Sequence, residues 1–494
     1  MAFNSIQFII FFPITVLIYY VIPHRVRNIW LLITSYFFYM CWNPVHVFIL
    51  GGVTAITYFC GRLLEKNNKK VGSKKRADII LALCCVVNLA VLSVFKYSGF
   101  AISNINHVFE LLHLNTPLKT PDILLPIGIS FYTFQAIGYI IDVYRGEVQA
   151  EKNIIRYATF VAFFPQLVAG PIERFSNLSK QFTREHRFDY EKVKSNLLLM
   201  LWGFFLKIVI ADRIAIYVDW AYGNHEILDG WYLIVASVLF AIQIYCDFNG
   251  YTLIARGAAG VMGFELMNNF DSPYCSTGIK QFWAGWHISL TSWFRDYLYI
   301  PLGGNRKGKV RKYINQMIVF LLSGLWHGAT WSYVAWGGLN GAYLVIEDAL
   351  QPVNTKICRR LNIKKEMLWG RIIRAVITFV LVDISWILFR SGGIGTAYTI
   401  FRKIFSAKDA SILFGKKIYE GVLDGPGFYI IWITILILLF VDVCHKKGFH
   451  FREWLQKKRI WFRWIAYFTL IFSILIFGIW GSSYDASNFI YFQF

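Results

Sequence analysis

The side chain with the clearest chemical potential in this 494-residue chain is His327, within Ser323-Gly-Leu-Trp-His-Gly-Ala-Thr-Trp331. It follows an apolar run that begins near Ile314, so in a membrane helix it lies about 20 Å beyond the polar end of that run. Gly324 and Gly328 flank it as G-x-x-x-G, a pattern that lets a second backbone approach closely. An ionisable group at that depth is costly unless it faces a cavity or a partner, so we expect a functional histidine. The alternative is a buried neutral histidine bonded to a carbonyl.

Acyl transfer is the chemistry that suits such a histidine. Its ordinary pKa of about 6.5 lets it take up and release a proton near neutrality, so it can deprotonate a hydroxyl that attacks a thioester. The sequence carries neither a G-x-S-x-G nucleophile elbow nor an H-E-x-x-H zinc motif. Gly303–Lys309 matches G-x-x-x-x-G-K, but Val310 stands where a nucleotide-binding loop needs Ser or Thr, which excludes that interpretation.

A second polar region, Trp283–Tyr299, precedes His327 in the chain. It is too polar to face lipid and too aromatic for a free loop, which predicts a helix tucked against the cytoplasmic face of a membrane. His287, Thr291 and Arg295 would share one face of that helix. We expect His287 and this helix to line the entrance through which an acyl donor reaches the protein interior. The candidates for substrate binding in and around both regions are Asp247, Asn249, Trp286, Arg295, Asp296, Ser323 and Trp326.

Composition identifies the elements that must hold these residues. Hydrophobic residues make up 56% of the chain and charged residues 16%, against about 45–50% and about 25% in soluble domains. This excludes a disordered chain, a coiled coil, a disulfide-stapled secreted domain and an ordinary soluble enzyme, and predicts an all-α polytopic membrane protein. The net charge of +21 is concentrated in short clusters between apolar runs, which is typical of cytoplasmic loops rather than of nucleic-acid binding. No metal-ligand spacing occurs, so we expect neither a metal nor a tightly bound cofactor.

Twelve apolar runs can cross, or nearly cross, a hydrocarbon core of about 30 Å. They start near Phe3, Ile29, Val45, Ile79, Leu124, Leu197, Trp231, Ile314, Tyr333, Ile372, Phe428 and Trp461. We therefore predict about 11–12 transmembrane helices in a single domain over residues 1–494. The span from Trp231 is expected to end near Asp247 and Asn249. Residues 157–170 are too short to cross and predict a re-entrant or interfacial helix.

The distribution of basic residues predicts how the chain is oriented in the membrane. Placing Arg62–Arg76 in the cytoplasm predicts a multi-pass protein of the cell membrane with both termini extracytoplasmic. Residues 171–194, 249–312, 351–371 and 445–460 then lie inside, and the base-poor loop 97–122 lies outside. Residues 391–426 fall outside although they carry five bases.

These motifs resemble the membrane-bound O-acyltransferase (MBOAT) family. The likeness is strongest from Asp247 to Trp331. Three further segments are similar to the bacterial branch that serves alginate O-acetylation and teichoic acid D-alanylation: Leu125–Gln135, Phe164–Ile172 and Trp293–Gly304. The resemblance implies a compact helical body, thinned at its centre where a cytoplasmic tunnel meets an outer funnel. It assigns the family's catalytic histidine to His327 and its second characteristic histidine to His287. The alternative for His287 is a purely structural role, in which it only braces the cytoplasmic helix.

The resemblance also implies an activity. We expect an O-acyltransferase, specifically an O-acetyltransferase, that modifies a cell-envelope polysaccharide from a cytoplasmic thioester donor, either acetyl-CoA or an acylated carrier protein. The expected partners are an extracytoplasmic acyltransferase or esterase-like protein, a cytoplasmic donor protein and the lipid bilayer. Three alternatives stay open: D-alanyl-type transfer from a carrier protein, a transporter or flippase with His327 as proton relay, and a scaffold for an export complex.

The C-terminal segment 461–494 is predicted to be a last helix with an extracytoplasmic aromatic tail, Asn488-Phe-Ile-Tyr-Phe-Gln-Phe494. Tyr491 carries the only hydroxyl of that tail. One interpretation is an interfacial aromatic anchor. The other is an acyl relay, in which the tail enters the outer funnel and Tyr491 accepts the acyl group, as is implicated for a similar tail on a separate protein in D-alanyl transfer systems.

Overall fold

A computed structural model describes residues 1–68, 74–114, 117–360, 367–480 and 490, with the backbone alone at 68, 353–355 and 357–360. All regular secondary structure within these ranges is helical. The first ten helices are α1 Ile6–Val21, α2 His24–Met40, α3 His46–Asn68, α4 Lys74–Leu111, α5 Ile129–Arg145, α6 Ile154–Ala162, α7 Phe164–Leu167, α8 Phe175–Phe182, α9 Tyr190–Phe204 and α10 Asp212–Gly223. The other ten are α11 Gly230–Val261, α12 Ile279–Gly285, α13 Ile288–Phe294, α14 Gly308–His327, α15 Trp331–Arg360, α16 Leu368–Arg390, α17 Ile394–Phe405, α18 Gly425–Lys446, α19 Phe451–Gln456 and α20 Ile460–Phe477.

The prediction of an all-α, multi-pass membrane protein is confirmed. Within the described residues, six helices are long and apolar enough to cross a bilayer: α3, α4, α11, α16, α18 and α20. Each of the six begins within five residues of a predicted apolar run or contains its start. The other six runs fall on helices that are shorter, such as the 16-residue α1, or that carry charges, such as α15 with Glu347 and Asp348.

Two predicted loop boundaries are wrong. The outer loop was expected to begin at residue 97, but α4 continues to Leu111 and has 38 residues. At 1.5 Å per residue it is about 57 Å long, well beyond a hydrocarbon core of about 30 Å. Similarly, α11 continues to Val261, past the predicted span end near Asn249. In both helices the polar residues that suggested an end are carried on helical backbone, because a helix satisfies its own hydrogen bonds whether or not lipid surrounds it.

The contacts divide the described chain into two units, and the predicted single domain remains a prediction. The first unit comprises residues 1–200 and 251–267. Its core contains an aromatic cluster in which Tyr139 lies 4.5 Å from Tyr157 and 4.7 Å from Phe175, between ring centroids. The Tyr157 hydroxyl donates to the Thr57 hydroxyl at 2.8 Å, so the cluster ties α6 to α3.

The segment predicted to be re-entrant lies in this unit as two short buried helices. The nine-residue α6 ends at Ala162, and Pro165 falls in the first turn of α7, where a missing backbone N–H costs nothing. Gln135 and Gln166 both donate to the carbonyl oxygen of Phe160, at 2.6 and 2.8 Å, and so satisfy backbone that the helix break would leave unbonded. A length of nine residues, about 14 Å, cannot cross a bilayer.

The second unit comprises residues 201–250 and 268–480 and carries both candidate histidines. Its central feature is the antiparallel pair α14–α15, which packs through glycines. A Cβ atom on Gly324 would lie 2.2 Å from the Tyr333 carbonyl oxygen, and one on Gly337 would lie 2.2 Å from the Phe320 carbonyl oxygen. Only glycine permits this approach, so the close contact expected from the G-x-x-x-G pattern is confirmed.

Candidate active site

His327 is the last residue of α14 and is 4% exposed. Three aromatic rings surround its imidazole at centroid distances of 5.0 Å (Trp326), 5.1 Å (Trp336) and 5.3 Å (Phe389). The next residue, Gly328, ends the helix with extended backbone, and a Cβ there would lie 2.1 Å from the Tyr333 ring. The helix end is thus held against α15, and the imidazole is enclosed by apolar rings from α14, α15 and α16.

His287 is placed by a break in the helix that the sequence predicted as continuous. The segment forms two short helices, α12 and α13, and His287 lies between them with φ 45° and ψ 53°. This left-handed conformation costs a non-glycine residue about 1–3 kcal/mol and persists only where surrounding contacts impose it. The predicted polar face shared with Thr291 and Arg295 is therefore wrong, because the break turns His287 into the protein while α13 starts afresh at Ile288.

The contacts that impose this conformation come from Asn269. Its backbone carbonyl accepts from the Ile288 N–H at 2.9 Å, and its side-chain oxygen lies 3.2 Å from His287 Nδ1. The same side-chain oxygen accepts from the backbone N–H and the hydroxyl of Ser289, at 3.2 and 2.9 Å. Asn269, Ser289 and His287 are all at most 1% exposed.

The two histidines lie together. Their ring centroids are 6.4 Å apart, and Trp326 contacts both, at 6.0 Å from His287 and 5.0 Å from His327. Phe248 covers His287 edge-on at 4.7 Å. The pair brings two imidazoles into one buried, aromatic-lined place, where each can take part in hydrogen bonding to a reacting group.

Burial keeps His287 neutral. Removal of the imidazole from water lowers the pKa of His287 to about 3, because the charged form loses its hydration. At neutral pH the ring therefore presents one N–H donor and one lone-pair acceptor rather than two donors.

Two other predicted residues lie close to this pair. Trp286 is 1% exposed and packs within an aromatic cluster, 5.0 Å from Trp386 and 5.4 Å from Phe282 between centroids. Ser323 is 8% exposed and lies one helical turn before His327 on α14. Trp286 thus supports the backbone before His287, and Ser323 shares a helix face with His327.

Arg295 and Asp296 are not brought to the histidines. They form an ion pair with each other at 2.8 Å, and the Arg295 side chain is 64% exposed. Both lie in a π-helical turn, Arg295–Tyr299, that follows α13. An exposed pair of this kind contributes little to stability and lies at the surface.

Asp247 and Asn249 lie within α11, not at its end. Asp247 belongs to a buried ion triad, because Lys207 Nζ lies 2.7 Å from Asp247 and 2.8 Å from Asp212, with all three side chains at most 4% exposed. Lys207 itself lies in a seven-residue π-helical segment, Phe205–Ala211. Phe248, the neighbour of Asp247, is the residue that contacts His287, so the triad holds the stretch of α11 that covers the histidine.

Tyr491 lies outside the described residues. The chain before it is anchored where α20 ends: Arg213 donates to the Phe477 carbonyl at 2.6 Å, and the Ile479 N–H donates to the Ile208 carbonyl at 3.2 Å. The relay and anchor hypotheses for Tyr491 both remain predictions. Among the described residues, no group of three or more His, Cys, Asp or Glu side chains could hold a metal ion.

Sequence reasoning missed several residues of this site. Asn269 lies 18 positions before His287, and Trp336 and Phe389 lie on different helices from His327, so no local spacing relates them. Lys207 could have been found, because a lysine within an apolar run needs a carboxylate partner.

Comparisons with known proteins identify the family of this chain. Residues 149–381, which contain both histidines, match the family model of membrane-bound O-acyltransferases. The probable alginate O-acetylase AlgI of Pseudomonas syringae pv. tomato is 42% identical over 413 residues, covering 83% of this chain and 76% of that protein. The peptidoglycan O-acetyltransferase of Helicobacter pylori is 30% identical, covering 100% of this chain and 98% of that protein. The teichoic acid D-alanyltransferase of Streptococcus thermophilus is 28% identical, covering 63% and 83%.

The fold and the similarities define a multi-pass membrane enzyme that transfers acyl groups. The chain belongs to the membrane-bound O-acyltransferase family. The resemblance noted from the sequence is thereby confirmed, and the transporter and scaffold hypotheses are set aside in favour of an acyltransferase.

Proposed function

We propose that this protein is an O-acetyltransferase that takes an acetyl group from a cytoplasmic thioester and delivers it for O-acylation of a cell-envelope polysaccharide. The observation that carries the proposal is the buried pair of His327 and His287, 6.4 Å apart, in a chain of this family. The O-acetyltransferase relatives, at 42% and 30% identity, favour acetyl as the group and an envelope polymer as the destination.

In the proposed reaction His327 acts as general base. It removes the proton of the attacking hydroxyl as that oxygen bonds to the acyl carbon; the C–S bond of the thioester then breaks, and the proton passes from His327 to the departing sulfur. Neutral His287 provides a hydrogen-bond acceptor beside the reacting groups. The enclosure of His327 by Trp326, Trp336 and Phe389 keeps bulk water away, which protects the acyl group from hydrolysis.

The donor is a phosphate-bearing thioester, either acetyl-CoA or an acylated carrier protein. Exposed bases lie just before α14 and in its first turn, on the side predicted to be cytoplasmic, and positive charge attracts either donor: Arg306, Lys307, Lys309 and Arg311. On the outer side, a separate acyltransferase or esterase-like protein would receive the acyl group, with Tyr491 as the hydroxyl that carries it across.

D-alanyl transfer from a carrier protein is the second candidate. It is favoured by the 28% identity to the teichoic acid D-alanyltransferase of Streptococcus thermophilus, although that match covers only 63% of this chain. Both candidates use the same acyl-transfer step. Mild alkaline release of the ester-linked group from cell envelopes, followed by its identification as acetate or D-alanine, distinguishes them.

The test of the catalytic assignment is His327→Ala beside His327→Gln. Both remove the base, so envelope acylation should fall at least about 100-fold, the lower end of what acid–base catalysis contributes. Protein levels in membranes should stay near normal. His107→Gln is the matched control, because His107 is 69% exposed on α4 and has no role in the proposed chemistry. Normal acylation by membranes carrying His327→Ala would exclude His327 as the base.

A further inference from the structure

We propose that Asn269 is a positioning residue that fixes which ring nitrogen of His287 carries the proton: Nδ1 is protonated, and Nε2 keeps its lone pair as a hydrogen-bond acceptor. The consequence for catalysis rests on the proposed function, whereas the protonation pattern itself does not.

The orientation of the Asn269 amide follows from Ser289. The backbone N–H of Ser289 is always a donor and points at the Asn269 side chain at 3.2 Å, so the atom there must be the oxygen. The Ser289 hydroxyl donates to the same oxygen at 2.9 Å. The alternative amide orientation would set two N–H groups against each other in a fully buried place, at a cost of about 1–3 kcal/mol.

An oxygen in this position can only accept. His287 Nδ1 lies 3.2 Å from it and therefore must donate, which requires a proton on Nδ1. Since the ring is neutral, Nε2 is left without a proton. A carbonyl-type partner on one ring nitrogen is the usual way in which proteins choose a histidine tautomer.

The backbone holds this arrangement rigidly. Asn269 accepts from the Ile288 N–H at 2.9 Å, and the Asp271 N–H donates to the Gly285 carbonyl at 3.0 Å, so residues 269–271 clamp both sides of the break at His287. This clamp explains why His287 tolerates φ 45°, a conformation that it would not adopt alone. Phe248 and Trp326 then limit rotation of the ring, at 4.7 and 6.0 Å.

The assignment decides what His287 can do. With Nδ1 donating to Asn269, the lone pair lies on Nε2, on the other edge of a ring whose centroid is 6.4 Å from that of His327. His287 then accepts a hydrogen bond, from the attacking hydroxyl or from His327, and does not serve as a proton donor. Asn269 thus acts on the reaction only through His287.

The direct test is nitrogen NMR of protein labelled with ¹⁵N-histidine in lipid bilayers at neutral pH. The chain has ten histidines, so the His287 signals are identified as those missing from His287→Gln. We expect one protonated nitrogen at Nδ1 and one unprotonated nitrogen at Nε2. A proton on Nε2, or on both nitrogens, would overturn the proposal.

Variants of Asn269 separate positioning from general support of the fold. Asn269→Leu keeps the number and branching of the side-chain heavy atoms and removes the acceptor, so His287 should lose its preference for Nδ1–H and acylation should fall about 100-fold. Asn269→Asp keeps an acceptor, so Nδ1 of His287 should stay protonated in this variant. This variant tests the proposal even if Asn269→Leu fails to fold, and an Nε2–H tautomer in Asn269→Asp would contradict it. Asn268→Ala is the control; it removes the 2.6 Å bond from Asn268 to the Phe270 carbonyl and should leave the His287 signals unchanged.

The two proposals fail separately. Were His327→Ala to acylate normally while His287 shows the Nδ1–H pattern, the proposed function would be wrong and the assignment to Asn269 would stand. If instead His327→Ala abolishes acylation while Nε2 of His287 carries the proton, the catalytic role of His327 would stand and the positioning role of Asn269 would be wrong.

Discussion

At the scale of single residues, the two histidines differ in how they are held. His327 ends a helix and touches rings from three helices, whereas His287 sits in strained backbone between two hydrogen-bonded segments. A base needs freedom to exchange its proton with a reacting group, and an acceptor needs a fixed lone pair. The contacts of the two side chains fit the roles proposed for them, with His327 as the base and His287 as the acceptor.

The burial of neutral His287 predicts a specific loss of stability in acid. Its pKa falls to about 3 in the folded protein, from about 6.5 when unfolded, so the unfolded chain binds the extra proton between these pH values. The stability is complete above about pH 6.5 and is lost progressively as the pH falls towards 3. The unfolding midpoint in detergent should therefore drop more from pH 7.5 to 4.5 in the natural protein than in His287→Gln. Equal drops would show that His287 is not buried neutral.

Tyr491 gives a prediction that separates relay from anchor. Tyr491→Phe keeps the aromatic ring and removes only the hydroxyl, whose pKa of about 10 means that it needs a base to attack a thioester. As a relay, this variant should lose polymer acylation while it accumulates normally in the membrane and still binds its outer partner. The control is Phe492→Leu, which changes the aromatic tail but not the hydroxyl. Normal acylation by Tyr491→Phe would assign the acceptor hydroxyl elsewhere.

At the scale of elements, the position of His327 depends on the glycine contact between α14 and α15. Gly324→Ala would bring a Cβ to 2.2 Å from the backbone oxygen of Tyr333, which no side-chain rotation can relieve. We expect a destabilisation of about 1–3 kcal/mol, as for overpacked cores, and reduced acylation because the helix end carrying His327 is displaced.

A matched control lies on the same helix pair. A Cβ on Gly338 would meet only Leu321, at 3.6 Å, which is an ordinary contact. Gly338→Ala should therefore leave the thermal midpoint unchanged or raise it slightly, because alanine favours a helix by up to about 1 kcal/mol over glycine. If the two variants unfold at the same temperature, the glycine contact does not hold the hairpin.

At the scale of the whole molecule, the proposed function requires access from both sides of the membrane, since activated thioesters are cytoplasmic and envelope polymers are outside. The predicted orientation puts the bases around the start of α14 inside and residues 391–426 outside. Single cysteines at Lys309 and Lys416, both exposed, test this in a background without native cysteines. A membrane-impermeant maleimide added to intact cells should label Lys416→Cys and should label Lys309→Cys only after lysis. The opposite pattern would invert the topology.

Hydropathy and motif spacing sufficed to predict the helical membrane fold, and six of the twelve expected runs are long apolar helices among the described residues. They also selected His327 as the candidate base, a role that stays a prediction. These properties are local, because an apolar run of about 20 residues must become a helix in lipid regardless of its neighbours. The glycines beside His327, Gly324 and Gly328, likewise predicted a close contact with a second helix backbone, because their spacing is typical of such contacts. The sequence alone therefore determined the class of protein and its foremost candidate residue.

Tertiary structure decided how the remaining polar residues are used. Asp247 forms an ion triad with Lys207 and Asp212, while Arg295 and Asp296 face the surface, although all were equal candidates by composition. The sequence pattern also did not predict the helix break at His287. It is imposed by Asn269, 18 residues earlier in the chain, and a periodic pattern cannot reveal a backbone conformation that depends on hydrogen bonds from a distant segment.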